Sequence, residues 1–293
     1  MEKTKKTSPV KCQPLITMPE NGIKINCFYP SVDLRYVVKF YWIVEVENTA
    51  IHPMAKISPS GNPELIFHFG DTISIDASNN NTPGTQPESV IAGQITQPVF
   101  LEFGSNIQCI CVKLQPYALS ALFNINSNAF TNRATCLSEV MPSMQKEIFE
   151  QLSEAKNDHV RIIIIEEYLR KLLKKHNNIS EITCSMIDYV KSNNNICFEK
   201  LRREINFCSR TLQRKIMSDV GITPKMLLRI IRFNKAFNYI KHNQNLNLQD
   251  ISFILGYYDL AHLINEFKEF SGLPPVKYFK KEDPYNNFFA GII

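Results

Sequence analysis

The chain has 293 residues, 44% hydrophobic and 21% charged, which excludes a fibrous or wholly disordered protein and leaves room for two domains. Residues 1–180 hold 17 basic and 17 acidic side chains, so the formal charge of +5 sits entirely in the last third. Residues 200–241 alone hold 11 basic and 2 acidic side chains, a concentration that points to a polyanionic partner.

Met1 to Lys11 carries four lysines with no apolar run behind them, so no secretory signal is expected. The longest aliphatic run, Ile162–Ile165, is far short of the ~20 residues that cross a bilayer. A soluble, cytoplasmic chain is the expectation. Residues 23–115 read mainly as strand. Tyr36–Val46 is β-branched and aromatic, Glu64–Phe69 is a short apolar run closed by Gly70-Asp71, and Ile73–Ile75, Ser89–Ala92, Val99–Phe103 and Cys109–Leu114 continue the pattern. The turn-rich stretches Pro59–Pro63 and Ser78–Pro87 separate them, as in an antiparallel sandwich or small barrel. None of the eight cysteines forms a C-x-x-C or a zinc-type spacing. Cys109 and Cys111 share one strand face and are expected to be reduced core residues.

From about Ala118 the period becomes helical. Leu137–Leu152 and Val160–Lys175 are predicted helices, the second ending in Lys171, Lys174, Lys175 and His176, cations that suit a helix C-terminus. Val160, Ile163, Ile164, Tyr168, Leu169 and Leu172 give it a broad apolar face, widened by Ile162 and Ile165. The polar stretch His176–Ser180 reads as the domain boundary. Helices follow over Ile182–Lys191, Phe198–Ile205 and Ser209–Val220, the last closed by Gly221. Thr223-Pro224 then starts a long helix that runs to about Asn243. It carries an apolar stripe of Ile230, Phe233, Phe237 and Ile240, with Lys225, Arg229 and Arg232 on a separate face. Leu248–Leu255, Asp259–Ser271 and Pro275–Phe279 complete the predicted helices.

Displaced by 51 residues, the tail matches itself: Cys208 falls on Asp259, Leu212 on Leu263, Ile216 on Phe267, Gly221 on Gly272 and Pro224 on Pro275. Each copy is a short helix, a tight turn and a second helix closed by Gly. That is the grammar of a helix-turn-helix, whose second helix enters a major groove.

Asp250–Phe279 closely resembles the second helix-turn-helix of AraC/XylS-type transcription regulators. The resemblance rests on Gly256, the aromatic after it, Phe267-Lys268, Gly272 and Pro274/Pro275. Phe198–Ala236 resembles the first, through Leu212, Arg214, Gly221, Pro224 and Arg232…Ala236. Pro59–Asp71 and Ile91–Phe103 resemble, more loosely, the β-rich sensor domain ahead of many such tails. Two positions depart from the pattern: Arg202 stands where a small Ala is usual, and Cys208 where a hydroxyl N-cap is usual, with Ser209 next in line to cap.

The resemblance implies an α+β chain. An N-terminal β-rich domain, a cupin-like barrel or sandwich with flanking helices, spans 1–176, followed by a linker over 177–182. An all-α DNA-binding domain spans 183–281, with helix-turn-helix units at about 198–219 and 247–270 joined by a long helix, and 282–293 form a tail. It implies that Arg210, Gln213 and Arg214 approach base edges on the first recognition helix, with Thr211 and Lys215 beside them. Leu260, Ala261, His262 and Asn265 take those positions on the second, with Lys268 following. Arg suits guanine, Gln and Asn suit adenine, and Ala can touch a thymine methyl. Residues 242–293 hold 4 basic and 6 acidic side chains, so residues 200–241 are expected to supply most phosphate neutralisation.

The sequence contains no G-x-S-x-G, H-E-x-x-H, Walker loop or G-x-G-x-x-G. His52 and His68 are too few for a cupin-type metal centre. No enzyme, metal or cofactor is expected. The expected partner is double-stranded promoter DNA, with RNA polymerase, a small-molecule effector and a second copy of the chain as further candidates and no membrane. The competing reading is a DNA-binding protein whose N-terminal domain only dimerises or contacts another protein.

Overall fold

The computed structural model describes residues 10–11, 16–18, 23–46, 54–75, 84–176, 179–193, 198–204, 208–243 and 247–280. The expectations for Cys12, His52, Cys197, linker residues 177–178 and tail 282–293 lie outside them, as does the side chain of Arg202. The larger sheet contains β1 (Val10–Lys11), β2 (Ile16–Met18), β3 (Ile23–Tyr29), β4 (Val38–Val46), β6 (Glu64–His68), β9 (Ser89–Ala92), β11 (Ile107–Leu114) and β12 (Ala134–Cys136). Its order is β1-β3-β4-β11-β6-β9-β12, with β2 also on β3. The smaller sheet has the order β5-β10-β7-β8, from β5 (Met54–Ile57), β7 (Ser74–Ile75), β8 (Gly84–Thr85) and β10 (Val99–Glu102). The pairs are antiparallel, and the architecture is a sandwich rather than a closed barrel.

Period-two alternation sends each central strand into two cores. On β4, Trp42, Val44 and Val46 face the smaller sheet, while Tyr41 and Ile43 face the helices. On β11, Ile107, Cys109 and Cys111 take the first side and Ile110, Val112 and Leu114 the second. Both faces are covered, so the strands read as continuous apolar runs. Cys109 and Cys111 are buried free thiols, 3.9 Å apart at sulfur, and burial pushes the Cys111 thiol well above its ordinary range.

The helices of the first half are α1 (Ala118–Phe123), α2 (Leu137–Val140), α3 (Pro142–Glu154) and α4 (Asp158–His176). The single predicted helix over Leu137–Leu152 is two, because Met141 precedes Pro142 and leaves helical geometry (φ −143°, ψ 71°). The inward face of α4 also differs from expectation. Ile162, Ile165, Tyr168, Leu169, Leu172 and Leu173 are buried, whereas Val160 and Ile163 stay 37% and 40% exposed. Buried among them is Glu166, which accepts from Ser31 N (2.8 Å), Ser31 Oγ and Arg170 (3.0 Å), so its charge is compensated.

The tail comprises α5 (Glu181–Ser192), α6 (Phe198–Glu204), α7 (Ser209–Val220), α8 (Pro224–His242), α9 (Leu248–Ile254), α10 (Leu260–Ser271) and α11 (Pro275–Lys280). The repeat predicted at 51 residues recurs in the bounds of α7 and α10, and in the first residues, Pro224 and Pro275, of the helices that follow them. Gly221 and Gly272 end their helices at φ +94° and +77°, a left-handed conformation that glycine adopts without steric cost. Leu212, Ile216, Leu263 and Phe267 are fully buried, each contributing roughly 1.5–3 kcal/mol. Thr223, Asn247 and Asp259 cap their helices through side-chain oxygens. Cys208 occupies the N-cap of α7 itself, without a side-chain cap bond, its sulfur 3.0 Å from Thr211 Oγ1. Ser209 is already helical, so it does not take the cap position.

The two halves share one apolar core, which runs from Tyr41 and Ile110 through Leu122 and Leu169 to Leu212, Ile216 and Phe233. At its edge Ser127 Oγ donates to Asp219 O (2.8 Å), Thr131 Oγ1 donates to Gly221 O (2.5 Å), and Asn234 Nδ2 donates to Ser60 O (3.2 Å). No helix among the described residues is long and apolar enough to cross a membrane.

Candidate nucleic-acid interface

The 19-residue α8, ~28 Å long at ~1.5 Å per residue, links the two helix-turn-helix units. On α7 the inner stripe of Leu212 and Ile216 turns Arg210, Gln213 and Arg214 outward, and all three are exposed. Thr211 is half-buried against Cys208. Lys215 Nζ lies 3.0 Å from Asp219 Oδ1. That carboxylate is buried and also accepts from Thr183 of α5 (2.6 Å), which ties α7 to α5.

On α10, Ala261, Asn265 and Lys268 are exposed and Leu260 is half-buried. His262 is half-buried, with its side chain 41% exposed. Its Nδ1 accepts the Tyr258 N–H (3.3 Å), and its Nε2 lies 3.4 Å from Arg232 Nη2. Nε2 faces Glu266 Oε2 at 3.8 Å, and the ring packs edge-on against Tyr257. The imidazole is engaged with its own domain.

An ionic cluster beneath α10 escaped the sequence reading. Glu266 is 2% exposed and accepts from Arg229 Nε (2.9 Å) and from Arg232 Nε and Nη2 (3.0 and 2.7 Å). Arg229 also reaches Glu269, and the Arg232 guanidinium stacks 4.3 Å from the Tyr257 ring centroid. Burial opposes the charge on Arg232, but the Glu266 pair outweighs it and holds its pKa above the ordinary value. The signal was present: Arg229 and Arg232 on one helix match Glu266 and Glu269 on the other, each pair three residues apart.

This cluster corrects the charge argument. Of the cations in 200–241, Lys215, Arg229 and Arg232 pair with carboxylates, and Lys235 Nζ donates to the carbonyls of Val190 and Asn193. Lys200, Arg203, Arg210, Arg214 and Lys225 remain exposed. They are the better candidates for phosphate contact.

The N-terminal sandwich encloses a cavity of about 550 Å³. Trp42, Val44, Ile66 and Leu101 give it an apolar wall, while Lys113, paired with Glu64, and Arg133 bring charge to its lining. Among the described residues, no group of three His, Cys, Asp or Glu could hold a metal ion. His68 is buried beside the cavity, with Nε2 3.0 Å from Gln86, and burial lowers its pKa.

Residues 201–281 match a family model described as a helix-turn-helix domain, and residues 26–135 one described as a domain of unknown function (DUF6597). The HTH-type transcriptional activator RhaS of Klebsiella pneumoniae (strain 342) is 31% identical over 80 residues, which are 27% of this chain and 28% of that protein. The chain thus spans little more than a quarter of the length of that relative. Among solved structures, ToxT from Vibrio cholerae is similar over 82% of this chain and 97% of its own, at 12% identity and a TM-score of 0.46. The C-terminal domain of AraT from Geobacillus stearothermophilus covers 36% of this chain and 88% of its own, at 24% identity and a TM-score of 0.33.

The tail therefore holds two helix-turn-helix units, within the region that matches the helix-turn-helix family model. Ahead of that region lies a β-rich half of two antiparallel sheets.

Proposed function

We propose that the chain is a sequence-specific transcription regulator that reads a promoter major groove with α7 and α10. The carrying observation is the pair of glycine-terminated helices 51 residues apart, each with an exposed outward edge: Arg210, Gln213 and Arg214 on one, Ala261, Asn265 and Lys268 on the other. Arg and Gln on α7 can bond base edges bidentately, while α10 offers shorter groups. The first unit is therefore the stronger anchor, and the cytoplasm, where promoter DNA lies, is the site of action.

Control is proposed to run through the sandwich. Its cavity of about 550 Å³ falls within the ~300–1,000 Å³ range of small-molecule sites, and apolar side chains share its lining with Asn62, Glu64, Lys113 and Arg133. A ligand specific to the folded state raises the melting temperature, so a metabolite panel screened by thermal shift identifies the effector class. For DNA, genomic fragments retained by the purified full-length chain define the operator. Retention is expected to weaken with salt at a log–log slope of about −0.9 per phosphate neutralised. A folded chain that retains no duplex at low salt overturns the reading.

A further inference from the structure

The two recognition helices are joined by α8, yet the sandwich also touches both of them, at equivalent places. Gly221 ends α7 and Gly272 ends α10, and the two glycines are repeat partners. Thr131 Oγ1 donates to the Gly221 carbonyl and Ser127 Oγ to that of Asp219. A Cβ built on Gly221 would lie 2.8 Å from Ser127 O and 2.9 Å from Thr131 Oγ1, so no side chain fits between cap and sandwich. At Gly272 the intruder is Lys56 of β5, whose ammonium occupies the space a Cβ would take. A cation there suits the C-terminal end of the α10 dipole. A third contact falls midway: Gly61, at φ +74°, lies against Leu227 and Ile230 of α8, and Ser60 O accepts from buried Asn234.

We propose that Lys56, Ser127 and Thr131 are positioning residues for DNA reading. They clamp the C-caps of α7 and α10 and so set the half-site spacing that the two helices accept. This rests on the proposed DNA-reading role of those helices. The Glu266 cluster and a shared core already tie α10 to α8, and the clamps add a fixed point at the far cap of each recognition helix. Each added base pair shifts a half-site by ~3.4 Å and turns it by roughly 35°, which a clamped pair cannot follow. The clamp segments also belong to the cavity wall, since Ile57, Ser58, Ser60 and Asn62 follow Lys56, and Asn132 and Arg133 follow Thr131.

The test uses the full-length chain. Duplexes selected by the wild type from a random pool are footprinted, then rebuilt with one or two base pairs added or removed between the half-sites. Wild-type affinity is expected to fall at least tenfold on such rebuilding. Lys56→Ala and the pair Ser127→Ala/Thr131→Val are expected to lose less than threefold. Variants that keep the wild-type melting temperature and the wild-type spacing profile overturn the proposal. Should the pair at the Gly221 cap unfold the chain, Lys56→Ala, at a half-buried surface lysine, carries the same comparison. Amide exchange at Gly221 and Gly272 gives a readout without DNA: the clamp variants should exchange faster there, and unchanged protection overturns the clamp. A wild type that binds no duplex, with exchange responding as expected, removes the DNA-reading role and leaves the clamp standing.

Discussion

Individual residues divide the interface into readers and supports. Gln213 and Arg214 are exposed on α7, and a bidentate base contact is worth ~1–3 kcal/mol of discrimination. Gln213→Ala and Arg214→Ala are therefore each expected to cost that much specificity against single-base operator variants. Asn265→Ala should cost less, because α10 offers a shorter, uncharged group. Competition binding with mutated operators checks the ranking, and a larger loss at Asn265 reverses it. A support role belongs to His68 in the sandwich. Burial lowers its pKa in the folded chain, whereas the unfolded chain protonates it near 6.5. Above pH ~6.5 the residue costs nothing. Below it the unfolded state binds the proton first, and stability falls until the lowered folded pKa is reached. Melting temperatures from pH 7 to pH 5 should fall more steeply for the wild type than for His68→Asn. Parallel curves would show that another group drives the loss.

At the scale of elements, the coupling between α8 and α10 is the feature most exposed to test. Glu266 is buried and holds two guanidinium groups, and breaking such a pair by removing one charge costs about 3–5 kcal/mol. Glu266→Gln is expected to destabilise the chain by that order in a denaturant titration; a loss under 1 kcal/mol would mean that solvent already screens the cluster. The sequence made the helices of this region legible because their ends carry chemistry. Thr223-Pro224, Gly221 and Gly272 mark starts and stops that the local backbone alone dictates. It also made β4, β9 and β11 legible, where β-branched runs are long enough to show. The short strands β5 and β12 were missed, being four and three residues without clear alternation, and so was α1, whose left-handed stop at Asn124 carries no glycine. Within the interface, exposure of Arg210, Gln213 and Arg214 followed from helical phase. The contact of His262 with Arg232 did not, because it joins α10 to α8 only in three dimensions. The cap clamps and the cavity were illegible for the same reason: they join segments up to about 200 residues apart, from Lys56 to Gly272.

For the whole molecule, the remaining question is whether it works as one chain or two. Residues 1–176 carry no net charge, so that half offers phosphate no overall attraction, and its contribution must be structural or allosteric. The structure gives most of the broad apolar face of α4 to the core. What stays outside is Val160 and Ile163, at 37% and 40% exposure. An apolar surface of this kind, on a neutral half of the molecule, is the place where a second copy would dock. Because Ile163 is half outside the core, Ile163→Glu should leave the fold intact, unlike a charge at the fully buried Ile162. The expected outcome is a variant that melts within a few degrees of the wild type but sediments as a monomer where the wild type sediments as a dimer. A variant that unfolds would place Ile163 in the core after all. A wild type that is already monomeric at micromolar concentration, with and without operator duplex, would leave the two recognition helices of a single chain to carry the whole of the reading.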